Sequence, residues 1–593
     1  ELGIDESRRG HIIDVWNKLD LLPPEERQAR LAQAARNPSC ALISAVTGEG
    51  LERLLAIVED RLGTGDTIYE ILLDPTDGKG LAWLHERGEV LERSSDDEGR
   101  LHLKVRLSTD KAGQAAARFG AALQVARSRS FSGAALYKGS ASAARDYTLT
   151  IRVTGLKAGA RYYYRFRKGS KVSATGTFKT APAPNANVPV SFAYSGDADA
   201  QPQSKATPKT DGSGKPFWNA FQVYGRMAAE HNDFNVNFGD TIYSDTEVQC
   251  GGSPCAPAAL TPAAKWLKYK MNIVRPPLMK LRESGTLYNH WDDHEFINDY
   301  TGEGKTGAKL YKDSVAAFLS YQPTTWTAKN GLYRSFRWGK NVEVFLLDEI
   351  TFRSAKASDG GTCDNPISKS PDLAPTGPAA TRALFSALVP SFAAPVSQAC
   401  LDRINSPKRT LLGSRQYAAF TKAIKASTAK WKVVMNEKPI QQFYALPYDR
   451  WEGYAAERQK LITFLDRNVK NAVFLTTDTH ANFFNNVRYD TLPTPKNSSL
   501  TEAVTGPVAT ANFALEIDQA TGNANAGSLI TSVFFKGDPP NGVGMQCANS
   551  DTFSYSQVVA NSRTLTVKAK DINGKPVTDA KTKAPCVLTL TAK

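Results

Sequence analysis

The sequence predicts an α/β core over residues 187–593, preceded by a partial β domain over 119–186 and a separate α/β piece over 1–118. Three observations predict this arrangement. Four apolar, strand-like runs in the last part each end in acidic residues, and α/β sheets build their ligand crevices beyond the carboxyl ends of their strands. The middle part alternates apolar and polar residues with a period of two. The first part alternates strand-like with helix-like runs. At 593 residues the chain is too long for one hydrophobic core, so several domains are expected.

In the first part, HIIDVW is an apolar run leading into Asn17, Lys18, Leu19 and Asp20. PPEERQARLAQAARN follows, with Pro at its start and acids in its first turn, as a helix start requires. CALIS reads as a strand, and AVTGEGLERLLAIVEDRL as a glycine-bounded turn entering an amphipathic helix. An Asn-Lys-x-Asp run can read guanine: the Asp20 carboxylate would accept from the base, Asn17 would contact it and Lys18 would stack on it. SAVTGEG would be the matching loop. Together with LHERGEVLERSSDDEGRLHLKVRLS, this piece resembles the C-terminal end of an HflX-type GTPase, a cytosolic class of protein. Such a GTPase carries its phosphate-binding loop before the base motif, and only sixteen residues precede Asn17. TGEGKTG supplies Gly304, Lys305 and Thr306, but Asp299 stands where that loop needs a glycine. The resemblance therefore implies a GTPase fragment with an unfinished sheet, and GTP binding is the least favoured function.

In the middle part, DYTLTIRV, RYYYRFRK and VSATGTFKT read as three half-buried strands. TGLKAGARYYYRF, ending in FKTAPAP, resembles the last strands of an immunoglobulin-like or fibronectin-like domain, shortened from the usual ~100 residues. Tyr162, Tyr163 and Tyr164 read as alternating core aromatics of that sandwich rather than as a sugar-binding patch. TAPAPNANVP is a linker.

The last part carries the chemistry. VSFAYSGDADA ends in Asp197 and Asp199, FNVNFGDTIYSD in Asp240 with Tyr243, LYNHWDDHEFIND in Asp292, Asp293, His294 and Glu295, and NAVFLTTDTHANF in Asp478 and His480. Carboxylates gathered at one sheet edge repel one another unless cations neutralise them. Hard cations take carboxylate oxygens, and a borderline metal also accepts imidazole and phenolate. Only four of the seven histidines lie beyond residue 120, and two of these, His294 and His480, sit inside acidic clusters. His290 reads as a buried or surface residue outside the cluster.

The order strand-Asp, GDxxY, WDDHE, DTH resembles the alkaline phosphatase D (PhoD-like) branch of the calcineurin-like metallophosphoesterases. FRWGKNVEVFLLDEITFR, LGSRQYAAF, WKVVMNEKP, DRWEGYAAERQKLITFL, TGPVATANF and SYSQVVANSRTLTVKAKD match in order, over about residues 130–590. The resemblance implies a two-sheet αββα sandwich that hydrolyses phosphate esters, diesters or monoesters, with metal-activated water. It implies metal ligation by Asp197, Asp240, Tyr243, Asp293, Asn436, Asp478 and His480, with Asp240 bridging two ions and Tyr243 giving a phenolate to Fe(III). It implies catalytic roles for Asp293, for His294 beside the phosphate and for Arg353 on a phosphate oxygen. Fe(III) and Ca2+ are the expected ions, with Zn2+ or Mn2+ as substitutes. SGDAD departs from family members that place a Cys after this strand, and it leaves the choice between Asp197 and Asp199 open.

The net charge of +14 and pI near 9.2 suit an anionic partner or a basic solvated surface. No Lys/Arg run interleaved with aromatics marks a nucleic-acid-binding module. No run of about 18 apolar residues spans a membrane, and the start carries neither Met nor a leader, as in a mature or truncated product. Six cysteines, Cys250, Cys255, Cys363, Cys400, Cys547 and Cys586, predict pairs 250–255, 363–400 and 547–586 and an oxidising, secreted or periplasmic setting, with Cys40 alone. A monomer acting on a small or polymeric phosphate ester is expected. The alternative is an inactive fusion or a calcium-stabilised binding protein.

Overall fold

The computed structural model describes residues 12–593, apart from 36, 38, 64–65, 74–76, 96–100, 109–110, 112–113, 115–121, 140, 142, 169–170, 200–220, 247, 251–252, 257 and 303. The chain divides into two compact units, Glu1–Ser140 with Tyr163–Thr175, and Ala141–Tyr162 with Gly176–Lys593.

In the first unit Asp14–Trp16 pairs in parallel with Cys40–Leu42. Leu19 and Ala34 close a small core against Cys40 and Leu42. Among the described residues this sheet has two strands. Asp66–Leu73, Leu101–Ser108 and Glu89–Ser95 form an antiparallel sheet in that order. Its period of two turns Leu103, Val105 and Leu107 inward. These pack with Ala122 and Leu136, from the strands Ala122–Ala126 and Ala135–Lys138. The strands Leu101–Ser108, Ala122–Ala126 and Ala135–Lys138 therefore bury one common core.

Arg161–Lys168 pairs antiparallel with Ala122–Ala126. Tyr162 is buried and stacks on Phe178 with ring centroids 5.6 Å apart, while Tyr163 packs on the cluster of Ala126, Phe131 and Ala134. One expected strand is corrected. DYTLTIRV, residues 146–153, joins no strand ladder. It opens on a turn in which Asp146 and Tyr147 have φ of +50° and +56°, and Asp146 is held by Lys270 and Tyr321. Those side-chain bonds keep the start of the segment out of extended conformation.

The second unit is a sandwich of two mixed sheets. The first runs Thr286–His290, Phe234–Phe238, Val190–Ser195, Ser554–Ala560, Thr564–Asp571, Val587–Thr591, with its first three strands parallel. The second runs Arg334–Trp338, Val342–Leu346, Trp431–Asn436, Ala472–Thr476, Lys496–Val504, Asn482–Asp490, Cys547–Asn549. In it Val342–Leu346, Trp431–Asn436, Ala472–Thr476 and Lys496–Val504 are parallel neighbours. Phe192, Phe234 and Val236 of one sheet pack with Trp338, Val344 and Val433 of the other. Burial of such large side chains stabilises by about 1.5–3 kcal/mol each. Helices Gly413–Ala426 and Ala455–Asn468 cover the second sheet, burying Phe420 and Leu461 against Phe345 and Phe474. Helices Gln222–Ala229 and Pro276–Ser284 cover the first, burying Met227 and Leu281 against Ala193. The layers run helix, sheet, sheet, helix.

Cys363 is bonded to Cys400 and Cys547 to Cys586, while Cys40 is free and buried. The side chains of Cys250 and Cys255 lie outside the described residues. No described helix is long and apolar enough to cross a membrane.

Candidate metal centre

Every acidic motif lies just past the carboxyl end of a parallel strand. Asp197 follows Val190–Ser195, Asp240 follows Phe234–Phe238, Asp292 and Asp293 follow Thr286–His290, and Asp478 and His480 follow Ala472–Thr476. The backbone turns sharply at these points. Asp197, Asp240, Asp478 and His480 all have positive φ, at +65°, +48°, +63° and +54°. Such conformations are strained for residues with a Cβ and persist where the surrounding structure holds them. Gly239, at φ +84°, lets the Asp240 loop pass the Asp292 side chain, since a Cβ there would come within 2.9 Å of Asp292 Cβ.

Four sets of ligand atoms converge around these turns. Asp197, Asp240 and His480 offer atoms within 4.8 Å of one another, as do Asp240, Asp293 and His294, Asp292, Asp293 and Asp478, and Asp293, Asp299 and Asp449. Asp240 is common to the first two. On proximity Asp197, and not Asp199, belongs to the convergence. Both carboxylate oxygens of Asp197 are buried without a hydrogen-bond partner, and so are Asp292 Oδ2, Asp293 Oδ1 and Asn436 Oδ1. A buried oxygen without a donor is costly unless a cation meets it, so Asp197 and Asn436 fit an ion, while Lys438 is the cation beside Asp292 and Asp293. A Cβ on Gly506 would come within 2.5 Å of Asp197 Oδ2, so glycine keeps this space open.

Electrostatics give the same picture. Burial, then the charges of Asp292, Asp293 and Glu295, push the Asp240 carboxyl well above its usual range. Burial lifts Asp197 to about 7 against the pull of His480. Without cations the cluster therefore resists full ionisation.

Tyr243 is buried, its hydroxyl 3.0 Å from His480 Nε2, and its ring stacks on His294 with centroids 4.0 Å apart. His480 Nδ1 faces Glu516 Oε1 at 2.6 Å. Burial would lower the His480 imidazole, but the Glu516 carboxylate overrides it and lifts the group to about 9. His294 Nδ1 faces Asp245 Oδ1 at 2.7 Å, and the His294 backbone N–H donates to Asp240 Oδ1. Burial opposes protonation of His294, and the hydrogen bond to Asp245 raises its pKa nonetheless.

The remaining expected residues lie on the second-sheet side. The Asn436 amide donates to the Lys438 carbonyl and to Thr476 Oγ1. Arg353 is buried and ion-paired with Asp449, and its Nε and Nη1 have no hydrogen-bond partner. His290 is fully buried, its ring centroid 4.9 Å from that of Phe238, and outside the four ligand sets.

Sequence reasoning missed Asp245, Lys438, Asp449 and Glu516. Lys438 is buried among Asp292, Asp293, Asp449 and Asp478. A lysine two residues past a buried strand was a readable signal, because a buried ammonium needs carboxylate partners. Glu516 and Asp449 carried none. At the other end of the chain, Asn17 Oδ1 accepts from the Ala45 backbone N–H, and Ser44 Oγ donates to Asp20 at 2.5 Å. The two loops of the expected base site are thus bonded to each other.

Comparison with known proteins bears on all three parts. A family model for PhoD-like phosphatase matches residues 211–537, one for the PhoD-like phosphatase N-terminal domain matches 98–182, and one for the HflX C-terminal domain matches 29–129. The chain is 25% identical over 372 residues to alkaline phosphatase D of Bacillus subtilis (strain 168), covering 58% of this chain and 55% of that protein. It thus spans about half of that relative's length. Over 98 residues it is 35% identical to GTPase HflX of Magnetococcus marinus, which is 16% of this chain and 21% of that one. The solved structure of PhoD superposes with a TM-score of 0.58 at 19% identity, over 86% of this chain and 90% of that one, so the two share a fold.

Proposed function

The chain belongs to the PhoD-like phosphatase family, and on that premise we propose that it is a metal-dependent phosphoric ester hydrolase acting on phosphodiesters, phosphomonoesters or both. One observation carries this reading. Two ligand sets share Asp240, and both oxygens of Asp197 beside it are buried without partners.

In this reading Asp197, Asp240, Tyr243 and His480 hold one ion, and Asp240, Asp293 and the Asn436 carbonyl oxygen take part in holding a second. Phenol, imidazole and carboxylate together suit Fe(III), and the carboxylate-rich side suits Ca2+, with Zn2+ or Mn2+ as substitutes. Bound ions supply charge neutralisation and a lowered water pKa. The chain's own residues do the rest. Glu516 holds His480 with Nδ1–H outward and Nε2 toward Tyr243. Asp245 holds His294 in its proton-bearing form, so His294 keeps a proton for the leaving oxygen. Arg353 keeps two N–H groups for a phosphate oxygen while Asp449 fixes its guanidinium.

The two disulfides fit an oxidising, extracytoplasmic setting. The substrate is a small or polymeric phosphate ester, and the working form is a monomer. The test is hydrolysis of bis-p-nitrophenyl phosphate against p-nitrophenyl phosphate after chelation, then with Fe and Ca restored. Metal-restored turnover is expected, and the rate ratio separates diester from monoester preference. A folded, metal-loaded sample without turnover on either compound overturns the reading in favour of a calcium-stabilised binding protein.

A further inference from the structure

Lys438 lies two residues beyond the strand Trp431–Asn436, and its side chain is fully buried. Its ammonium nitrogen is 2.5 Å from Asp478 Oδ1, 2.8 Å from Asp449 Oδ2, 3.0 Å from Asp292 Oδ1 and 3.4 Å from Asp293 Oδ1. The Asp478 contact is a charge-assisted hydrogen bond, and the other three carboxylates stand at ion-pair distance from the same ammonium.

Three of these four carboxylates, Asp292, Asp293 and Asp478, also form one of the converging ligand sets. With oxygen donors alone, that corner would suit a hard divalent cation such as Ca2+ or Mn2+. A cation of the chain itself stands there instead. Asp449 adds a second fixed positive charge through its ion pair with Arg353. In the sets that share Asp240, Asp197 and Asp240 themselves stand outside the ion pairs of Lys438. Asp197 has no hydrogen-bond partner on either oxygen, and Asp240 accepts from a neutral backbone N–H, that of His294. A divalent ion entering the Lys438 corner would have to share the carboxylates with an ammonium a few ångströms away, and like charges at that range repel strongly in a buried site.

We propose that Lys438 is a built-in cation that replaces one divalent ion, so that the Asp292–Asp293–Asp478 corner takes no metal. The corner's positive charge is then covalently attached, survives chelation and holds Asp292 and Asp478 in place before any metal arrives. Removing the ammonium should convert the corner into a metal site.

This inference rests on the metal-dependent reading given above, and the test separates the two. Native protein and Lys438→Met, which keeps the chain length and removes the charge, are stripped with chelator, dialysed against Ca2+ or Mn2+ and analysed for metal per chain by mass spectrometry. Lys438→Met is expected to hold one more ion per chain than native protein, while Lys438→Arg matches native. Equal counts in native protein and Lys438→Met overturn the lysine proposal and leave the metal-dependent reading standing. No metal on either protein overturns both. If Lys438→Met fails to fold, native protein decides the matter through reductive methylation read by peptide mass. Lys438 should stay unmodified with and without saturating Ca2+ or Mn2+. Methylation that appears on adding metal means that an ion displaces the ammonium, and that sinks the proposal.

Discussion

Nδ1 of His480 lies 2.6 Å from Oε1 of Glu516, with the helix Phe513–Thr521 carrying the carboxylate. The contact fixes which imidazole nitrogen bears hydrogen and leaves Nε2 facing Tyr243 at 3.0 Å. Carboxylate partners of ligating histidines typically contribute 10–100-fold in metal affinity. Glu516→Gln is therefore expected to weaken metal binding by about 10-fold and Glu516→Ala by up to ~100-fold. Chelator competition measures both, and unchanged affinity in the alanine variant would remove His480 from the ligand set.

Asp240 and His294 should separate binding from turnover. Asp240 belongs to two ligand sets, so Asp240→Asn should lose metal and activity together. His294 Nδ1 faces Asp245 Oδ1 at 2.7 Å, and under the proposed function His294 carries a proton. His294→Ala should lower turnover by about 10²–10⁴-fold, the usual loss for a general acid or base, while metal content stays near native. A His294→Ala protein that loses its metal would instead make His294 a ligand, as its place beside Asp240 and Asp293 permits.

Away from the centre, Asp372 and Arg382 make a buried ion pair at 2.6 Å. Burial alone would raise the Asp372 carboxyl, but hydrogen bonds from Arg382 and Asn365 overcome it and hold the group below its ordinary value. The sign follows from linkage. A carboxyl depressed in the folded state contributes stability above its unfolded pKa of about 3.9, and that stability is lost as pH falls through the folded value. Asp372→Asn should destabilise the protein at pH 6, with a smaller gap to native at pH 3. Urea midpoints at the two pH values check this, and a gap independent of pH would assign the loss to packing.

The acid-bearing edge of the sandwich was legible because four of its parallel strands are short apolar runs followed by their own acids. Phe234–Phe238 with Asp240 is the clearest case. The pairs Cys363–Cys400 and Cys547–Cys586 were legible from their order along the chain. Residues that act from another segment were not. Glu516 is 36 positions from His480, and Lys438 is 40 from Asp478. Such meetings depend on how sheets and helices pack, which no local spacing records. DYTLTIRV misled for a related reason. A period of two says that two faces differ, but a strand also needs a partner strand to bond.

Gly506 offers the sharpest test of whether open space at Asp197 matters. Its φ of +135° is a conformation that side-chain-bearing residues rarely adopt, and an added Cβ would meet Asp197 Oδ2 at 2.5 Å. Gly506→Ala therefore combines backbone strain of about 1–3 kcal/mol with a push on a proposed ligand. Gly360, with φ +75° and nothing within 4 Å of an added Cβ, brings strain without the push. Gly360→Ala should lower the melting temperature and leave metal content unchanged. Gly506→Ala should lower both, and its residual metal affinity should resemble that of Asp197→Asn. If the two glycine variants lose stability alike and both keep native metal content, the space beside Asp197 serves the backbone and not an ion.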